Sequence, residues 1–197
     1  MTQQNRILVE DMENIYNKLS EKEKDKLRNS TILLTGCGGF LGYYFMHFFT
    51  HYASELKIKK IIALENFLTG TKDWLNRLVS SNTGLIELHE FNVITDSVAD
   101  INGAEQADIV IHMASIASPT FYRIYPIETV DANITGLRRL LVHAHEFVAV
   151  EGDAHGVGRV AQHDRAQEHH EVGLAAAARF ALEQAADHGH VAHAGDL

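Results

Sequence analysis

Thr31-Ile32-Leu33-Leu34-Thr35-Gly36-Cys37-Gly38-Gly39-Phe40-Leu41-Gly42 carries the strongest structural signal in the chain. Its first five residues form an apolar run that reads as a buried strand. A cluster of glycines follows, and an aromatic, apolar segment from Tyr43 to about Tyr52 reads as a helix. Strand, glycine turn and helix in that order give such glycines a physical role. Gly36 allows a tight turn off the strand, Gly39 has no side chain to block a diphosphate, and Gly42 lets the helix pack closely on the strand. The helix N-terminus then offers unpaired N–H groups and partial positive charge to phosphate oxygens.

The residues before this stretch carry Leu8, Met12, Ile15, Tyr16 and Leu19 on one helical face. Ser20-Glu21-Lys22-Glu23 has the spacing of a capping box and predicts a second helix to about Arg28. We read residues 1–29 as an extension packed on the outside of the domain.

Beyond the glycine turn, Lys59-Lys60-Ile61-Ile62-Ala63-Leu64 is a second apolar run, ending at Glu65. A dinucleotide fold places an acid there to accept hydrogen bonds from the adenosine ribose. A carboxylate at that point also repels a 2′-phosphate, which favours NAD over NADP. Asn66-Phe67-Leu68-Thr69-Gly70 reads as a loop before an amphipathic helix over Lys72–Val79. Gly84–Val93 alternates apolar and polar residues as a third strand, with Asn92 at its end able to touch the adenine. Asp96–Ala104 reads as a short helix or turn, and Ala107–Ala114 as a small, buried fourth strand. Thr129–His143 reads as a helix, on which Asn133 and Gly136 lie one turn apart. The alternation predicts an α/β fold, a Rossmann-type doubly wound parallel sheet. Ligands of such sheets sit beyond the carboxyl ends of the strands. Gly36–Gly42, Glu65, Asn92 and His112–Ser115 all fall at those ends. His112 invites a catalytic reading, but a lone His closing a buried strand is more often packed and hydrogen-bonded, and we expect that here.

Composition narrows the function class. The 197 residues suit one domain, or one domain and a fragment of a second, and the apolar fraction of 46% is ample for a core. A formal net charge of −9 argues against nucleic acid as the partner. A single cysteine, Cys37, rules out a disulfide within the chain and reads as a small spacer in the turn. The N-terminal residues carry no signal-peptide core and no apolar run approaches membrane length, so we expect a cytoplasmic location and no membrane partner.

These residues resemble the extended short-chain dehydrogenase/reductase superfamily, the NAD-dependent epimerases and dehydratases of nucleotide sugars. Thr35–Gly42 looks like its TGxxGFxG turn. Glu65–Gly70 resembles its DNFxTG loop with Glu for Asp, and Asn92-Val93 stands where the family has Asp-Val. His112–Ser115 is similar to its HLAA/S strand end. Ala117–Tyr122 followed by Tyr125–Thr129 resembles the ASPxxY…NPIxT segment of UDP-glucuronate decarboxylases, and Asn133–Gly136 matches their NxxG. The likeness covers about residues 30–142. It implies a cofactor site of Gly36, Gly38, Gly39, Phe40, Leu41, Gly42, Glu65, Asn66, Thr69, Gly70, Asn92, Val93, Met113, Ala114 and Ser115. It implies sugar contacts from Ser118, Pro119, Tyr122 and Asn133. The implied partner is a UDP-sugar, UDP-glucuronate first. The implied chemistry is oxidation at C4 with NAD, then decarboxylation, 4-epimerisation or 4,6-dehydration, then re-reduction.

The family's catalytic YxxxK pair is absent: no Tyr follows Tyr125 and no Lys follows Lys72. The family pairs into homodimers through helices that include the one bearing that motif, so pairing is doubtful here. From His143 to Leu197 there is no Ile, Lys, Asn, Ser, Thr, Tyr, Pro, Met or Trp. The abrupt change predicts that residues 143–197 come from a frameshift, fusion or wrong assembly, with Ala166–Ala186 helical by propensity alone. His169, His170, His188, His190 and His193 could hold a metal only with a fixed geometry that nothing in the pattern supplies, so we expect no metal site. Three readings follow: a sugar-nucleotide enzyme here truncated and without turnover, a domain that holds NAD without catalysis, or a product that never folds stably.

Overall fold

The computed structural model describes residues 3–70 and 72–144. The expectations for the Ala/His-rich segment from residue 145 onward, its helix and its histidine clusters among them, lie outside the described residues. Four strands form one parallel sheet: β1 (Thr31–Thr35), β2 (Lys60–Glu65), β3 (Ile86–Glu90) and β4 (Ile109–His112), in the order β3-β2-β1-β4. The chain adds strands to one side of β1 and then crosses to the other, so a crevice opens between the carboxyl ends of β1 and β4. This is the expected Rossmann-type arrangement.

β1 is buried along its whole length because it is covered on both faces. Ile32 and Leu34 point to one apolar cluster with Ile61, Ala63, Met46, Phe49 and Leu75. Leu33 points to the other with Ile62, Leu64, Phe91, Val93 and Leu140. The first cluster is roofed by α1 (Gln3–Lys18), α3 (Phe40–His51) and α5 (Lys72–Ser81). Two 3₁₀ turns, Val98–Asp100 and Ala104–Gln106, and the last helix lie over the second. Between α1 and β1 runs α2 (Glu21–Leu27), and a short α4 (Ala53–Leu56) follows α3.

The N-terminal extension packs as its stripe requires. Met12 is 1% exposed, and Leu8, Ile15, Tyr16 and Leu19 lie against the same cluster. The Tyr16 ring stacks on Tyr52 at 4.0 Å between centroids, with the Lys24 ammonium on the Tyr16 ring at 4.3 Å. The capping box forms in full: the Ser20 hydroxyl accepts from the Glu23 N–H at 3.3 Å, and the Glu23 carboxylate accepts from the Ser20 N–H at 2.8 Å. Ser20→Ala removes one of these bonds and is expected to lower stability by about 1 kcal/mol, read as a lower urea midpoint with unchanged slope.

Several boundaries differ from the sequence reading, each for a tertiary reason. β3 is shorter than Gly84–Val93 because its partner, β2, offers pairing only from Ile61 to Glu65. β4 is limited in the same way by Ile32–Thr35 of β1. The sequence reading assigned no element to the segment around Pro119; there α6 (Pro119–Ile124) and α7 (Pro126–Asp131) each begin on a proline, whose missing N–H is harmless at a helix start. The helix expected over Thr129–His143 starts earlier, at Pro126, and is interrupted by a π turn, Ala132–Gly136, before continuing over residues 137–144.

Candidate functional site

At the carboxyl ends of the strands an open cleft encloses about 740 Å³ including its solvent-exposed mouth. Its walls come from the β1–α3 turn, the loop after β2, residues 91–94 after β3, residues 113–116 after β4, and α7 with the π turn.

The turn is built by two close approaches. Gly36 has φ +74°, and a Cβ there would lie 2.6 Å from the Ala114 nitrogen. At Gly42 a Cβ would lie 2.3 Å from the Cys37 carbonyl oxygen. Gly42 therefore packs the first turn of α3 onto the glycine turn itself rather than onto the strand. Gly39 is the N-cap of α3 and no side chain caps the helix, so the first-turn N–H groups are left for an external acceptor. Cys37 is fully buried, and burial pushes its thiol above its usual range, which suits a spacer rather than a redox group.

Glu65, the last residue of β2, is 7% exposed and turned back onto this turn. Its Oε2 accepts from the Gly38 N–H at 2.9 Å and its Oε1 from the Phe67 N–H at 3.0 Å. The second bond helps hold Phe67 at φ +56°, a left-handed conformation that a bulky residue rarely adopts. Each carboxylate oxygen keeps a second lone pair for a hydroxyl entering from the cleft. Asn92 uses its Oδ1 to accept from the Ile94 N–H at 3.0 Å, and its own N–H goes to Asp96 at 2.7 Å. That amide, with the Thr95 hydroxyl, holds the Asp96 carboxyl below the usual range.

Of the residues proposed from sequence, Gly36, Gly39, Glu65, Asn66, Thr69, Asn92, Val93, Met113, Ala114 and Ser115 line this one cleft. Gly38 and Gly70 do not line it: Gly38 donates to Glu65, and a Cβ on Gly70 would sit 3.2 Å from the Gly38 carbonyl. Phe40 is 75% exposed and packs edge-on against Tyr44, and Leu41 is half-buried beside it in the first turn of α3. Ser118, Pro119 and Tyr122 are not brought to the cleft wall; they start and line the short α6. Asn133 does reach the wall, donating from Nδ2 to the Ser115 hydroxyl at 2.9 Å and to the Thr129 carbonyl at 2.7 Å. His112 is packed and hydrogen-bonded, as a strand-closing His was expected to be. Thr35, Leu64, Leu68, Phe91, Ile94, Ile116, Glu128 and Ala132 also line the cleft and were not among the residues proposed from sequence. Thr35, Leu68 and Glu128 lie inside the quoted motifs; the other five carried no such signal.

With this geometry in hand, comparison with known proteins is decisive at the level of family. The profile of the NAD dependent epimerase/dehydratase family matches residues 32–163, two-thirds of the chain. The chain belongs to that family. The match runs past residue 142, where the motifs quoted from sequence stop. Among curated relatives, UDP-glucuronic acid decarboxylase 6 of Arabidopsis thaliana is 29% identical over 116 residues, 57% of this chain and 29% of the relative. UDP-D-apiose/UDP-D-xylose synthase 1 of the same plant is 28% identical over 106 residues, 52% of this chain and 25% of the relative. The chain thus spans less than a third of the length of these relatives. A UDP-glucose-4-epimerase from Stenotrophomonas maltophila, solved with NAD and formylated UDP-arabinopyranose, overlays with a TM-score of 0.48 at 16% identity, covering 60% of this chain and 34% of that one. Among the described residues of this family member, no helix is long and apolar enough to cross a membrane, and no cluster of His, Cys, Asp or Glu could hold a metal ion.

Proposed function

We propose that residues 30–142 form the NAD-binding domain of a nucleotide-sugar-modifying enzyme most like UDP-glucuronate decarboxylase. The observation that carries this reading is the junction at one end of the cleft. There the uncapped N-terminus of α3 and the buried Glu65 carboxylate are joined through a 2.9 Å hydrogen bond at Gly38. A diphosphate needs the first and an adenosine ribose the second, and the two lie side by side here. The residues present therefore fit the cofactor. NAD, when bound, would accept a hydride from C4 of the sugar and give it back. The chain's own residues bind and orient: the α3 amides take phosphate oxygens, Glu65 takes ribose hydroxyls and rejects a 2′-phosphate, and residues 91–94 flank the adenine end. Ser115, tied to Asn133, stands at the opposite wall, where the nicotinamide and sugar would meet.

A domain that holds NAD without turnover is the second reading, favoured by the absence of any Tyr after Tyr125 and any Lys after Lys72. One experiment orders these readings. NAD at a hundred times its Kd stabilises the native state by about 2.7 kcal/mol, so the full chain should gain several degrees in Tm. No shift with millimolar NAD would overturn the cofactor reading. Incubation with NAD and UDP-glucuronate, assayed for CO₂ and UDP-xylose, is expected to show no product; NAD-dependent CO₂ release would make this chain itself the decarboxylase.

A further inference from the structure

We infer that His112 is a positioning residue for the wall of the nucleotide cleft and does this only as the neutral imidazole protonated on Nε2. This rests on the cofactor reading above. Thr35 and His112 close β1 and β4 and are register partners in the parallel ladder. The Thr35 hydroxyl lies 2.7 Å from Nδ1 of His112, and Nε2 lies 3.1 Å from the Ala132 carbonyl, at the head of the π turn. A carbonyl only accepts, so Nε2 carries the hydrogen and Nδ1 offers a lone pair. The Thr35 hydroxyl then donates to Nδ1. Its two lone pairs accept from the Met113 N–H and the Ala114 N–H, each at 3.3 Å. Every position on this hydroxyl is used.

A second proton on His112 breaks that arrangement. Nδ1–H would point at an oxygen whose lone pairs are both taken, so one amide must let go. Met113 N–H keeps the Thr35 carbonyl at 3.0 Å, which makes the Ala114 N–H the one released. Ala114 forms the cleft wall against which Gly36 is packed with no room for a Cβ. The disturbance therefore falls on the glycine turn. Burial lowers the affinity of His112 for the second proton, and the Ala132 bond opposes this in part. No charged side chain acts on the ring among the described residues. The carboxylates on the elements packed around it are engaged elsewhere or face the cleft: Glu65 with Gly38 and Phe67, Asp131 with Thr135, and Glu128 in the cleft wall.

The test is calorimetric titration of NAD into the full chain from pH 8 to pH 5, for wild type and His112→Asn, whose Oδ1 can replace the Nδ1 lone pair but does not titrate. Wild-type affinity is expected to fall as pH drops through the titration of His112, by at most tenfold per unit. The ratio of affinities at the two ends should shrink toward one in His112→Asn, whatever its absolute affinity. An equal slope in both proteins would overturn the inference. If wild type does not bind NAD at pH 8, the cofactor reading fails, and NMR of the unliganded chain decides the inference alone. It then requires the Nε2–H tautomer for His112 and Met113 and Ala114 amide shifts that follow its titration. An Nδ1–H tautomer, or amides indifferent to that titration, would refute it.

Discussion

Gly42→Ala is expected to destabilise the domain by about 3 kcal/mol or more, above the usual range for an added methyl group. The Cβ would lie 2.3 Å from the Cys37 carbonyl oxygen, 2.5 Å from the Cys37 carbonyl carbon and 2.6 Å from the Gly36 oxygen. All three are backbone atoms, so no side-chain rotation relieves the overlap. The helix must instead move away from the turn, and α3 carries Met46, Phe48 and Phe49 into the core. Gly36→Ala is expected to be comparably severe, because the overlap with Ala114 and Met113 adds to a φ of +74°. Gly84→Ala separates the two causes. Gly84 has φ +88° but nothing within 4 Å of the added carbon, so it should lose only about 1 kcal/mol. Urea unfolding of the three variants beside wild type measures the differences. A Gly42→Ala chain as stable as Gly84→Ala would mean that the turn is not packed as described.

The same contrast explains what sequence could convey. The demands of the glycine turn are local: a reversal of direction within a few residues and a helix starting at once. Continuous apolar runs likewise marked β1 and β2, since strands covered on both faces need no alternation. Element ends were less legible because they are set by partners. β3 and β4 stop where β2 and β1 stop, which no local pattern records. The π turn has tertiary causes too. It directs the Ala132 carbonyl to His112 and lets Gly136 approach Val93, where a Cβ would be 2.8 Å from a methyl carbon.

In the candidate site, residue types were legible and their wiring was not. The sequence placed an acid at the end of β2, yet it did not show that the carboxylate is already held by two amides. Thr35 and His112 lie 77 positions apart, and their link to Ala132 depends on the sheet order that brings β4 beside β1. Ser118, Pro119 and Tyr122 were grouped with the site by motif. In the structure the prolines start new helices there, and the segment follows α6 rather than the cleft wall.

Glu65→Ala should separate the acid's two duties, because each has its own readout. Its removal leaves the Gly38 and Phe67 N–H groups without their buried acceptor, at about 1–3 kcal/mol for such a loss, and Phe67 without one restraint on its left-handed conformation. Urea unfolding without ligand reads that term. Glu65→Gln does not rescue it: one carboxylate oxygen becomes an NH₂ group, and in either orientation a donor faces an N–H donor. On the cofactor reading, the ribose hydroxyls also lose a charged acceptor, about 2 kcal/mol or roughly thirtyfold in NAD affinity. NADP should lose less than NAD, because the same substitution removes the charge that repels its 2′-phosphate. The preference for NAD over NADP, measured by titration at a temperature where the variant is fully folded, is therefore expected to narrow. A purely structural carboxylate would weaken both dinucleotides equally, so an unchanged ratio beside a lowered urea midpoint would leave Glu65 bracing the turn and remove it from the ribose site.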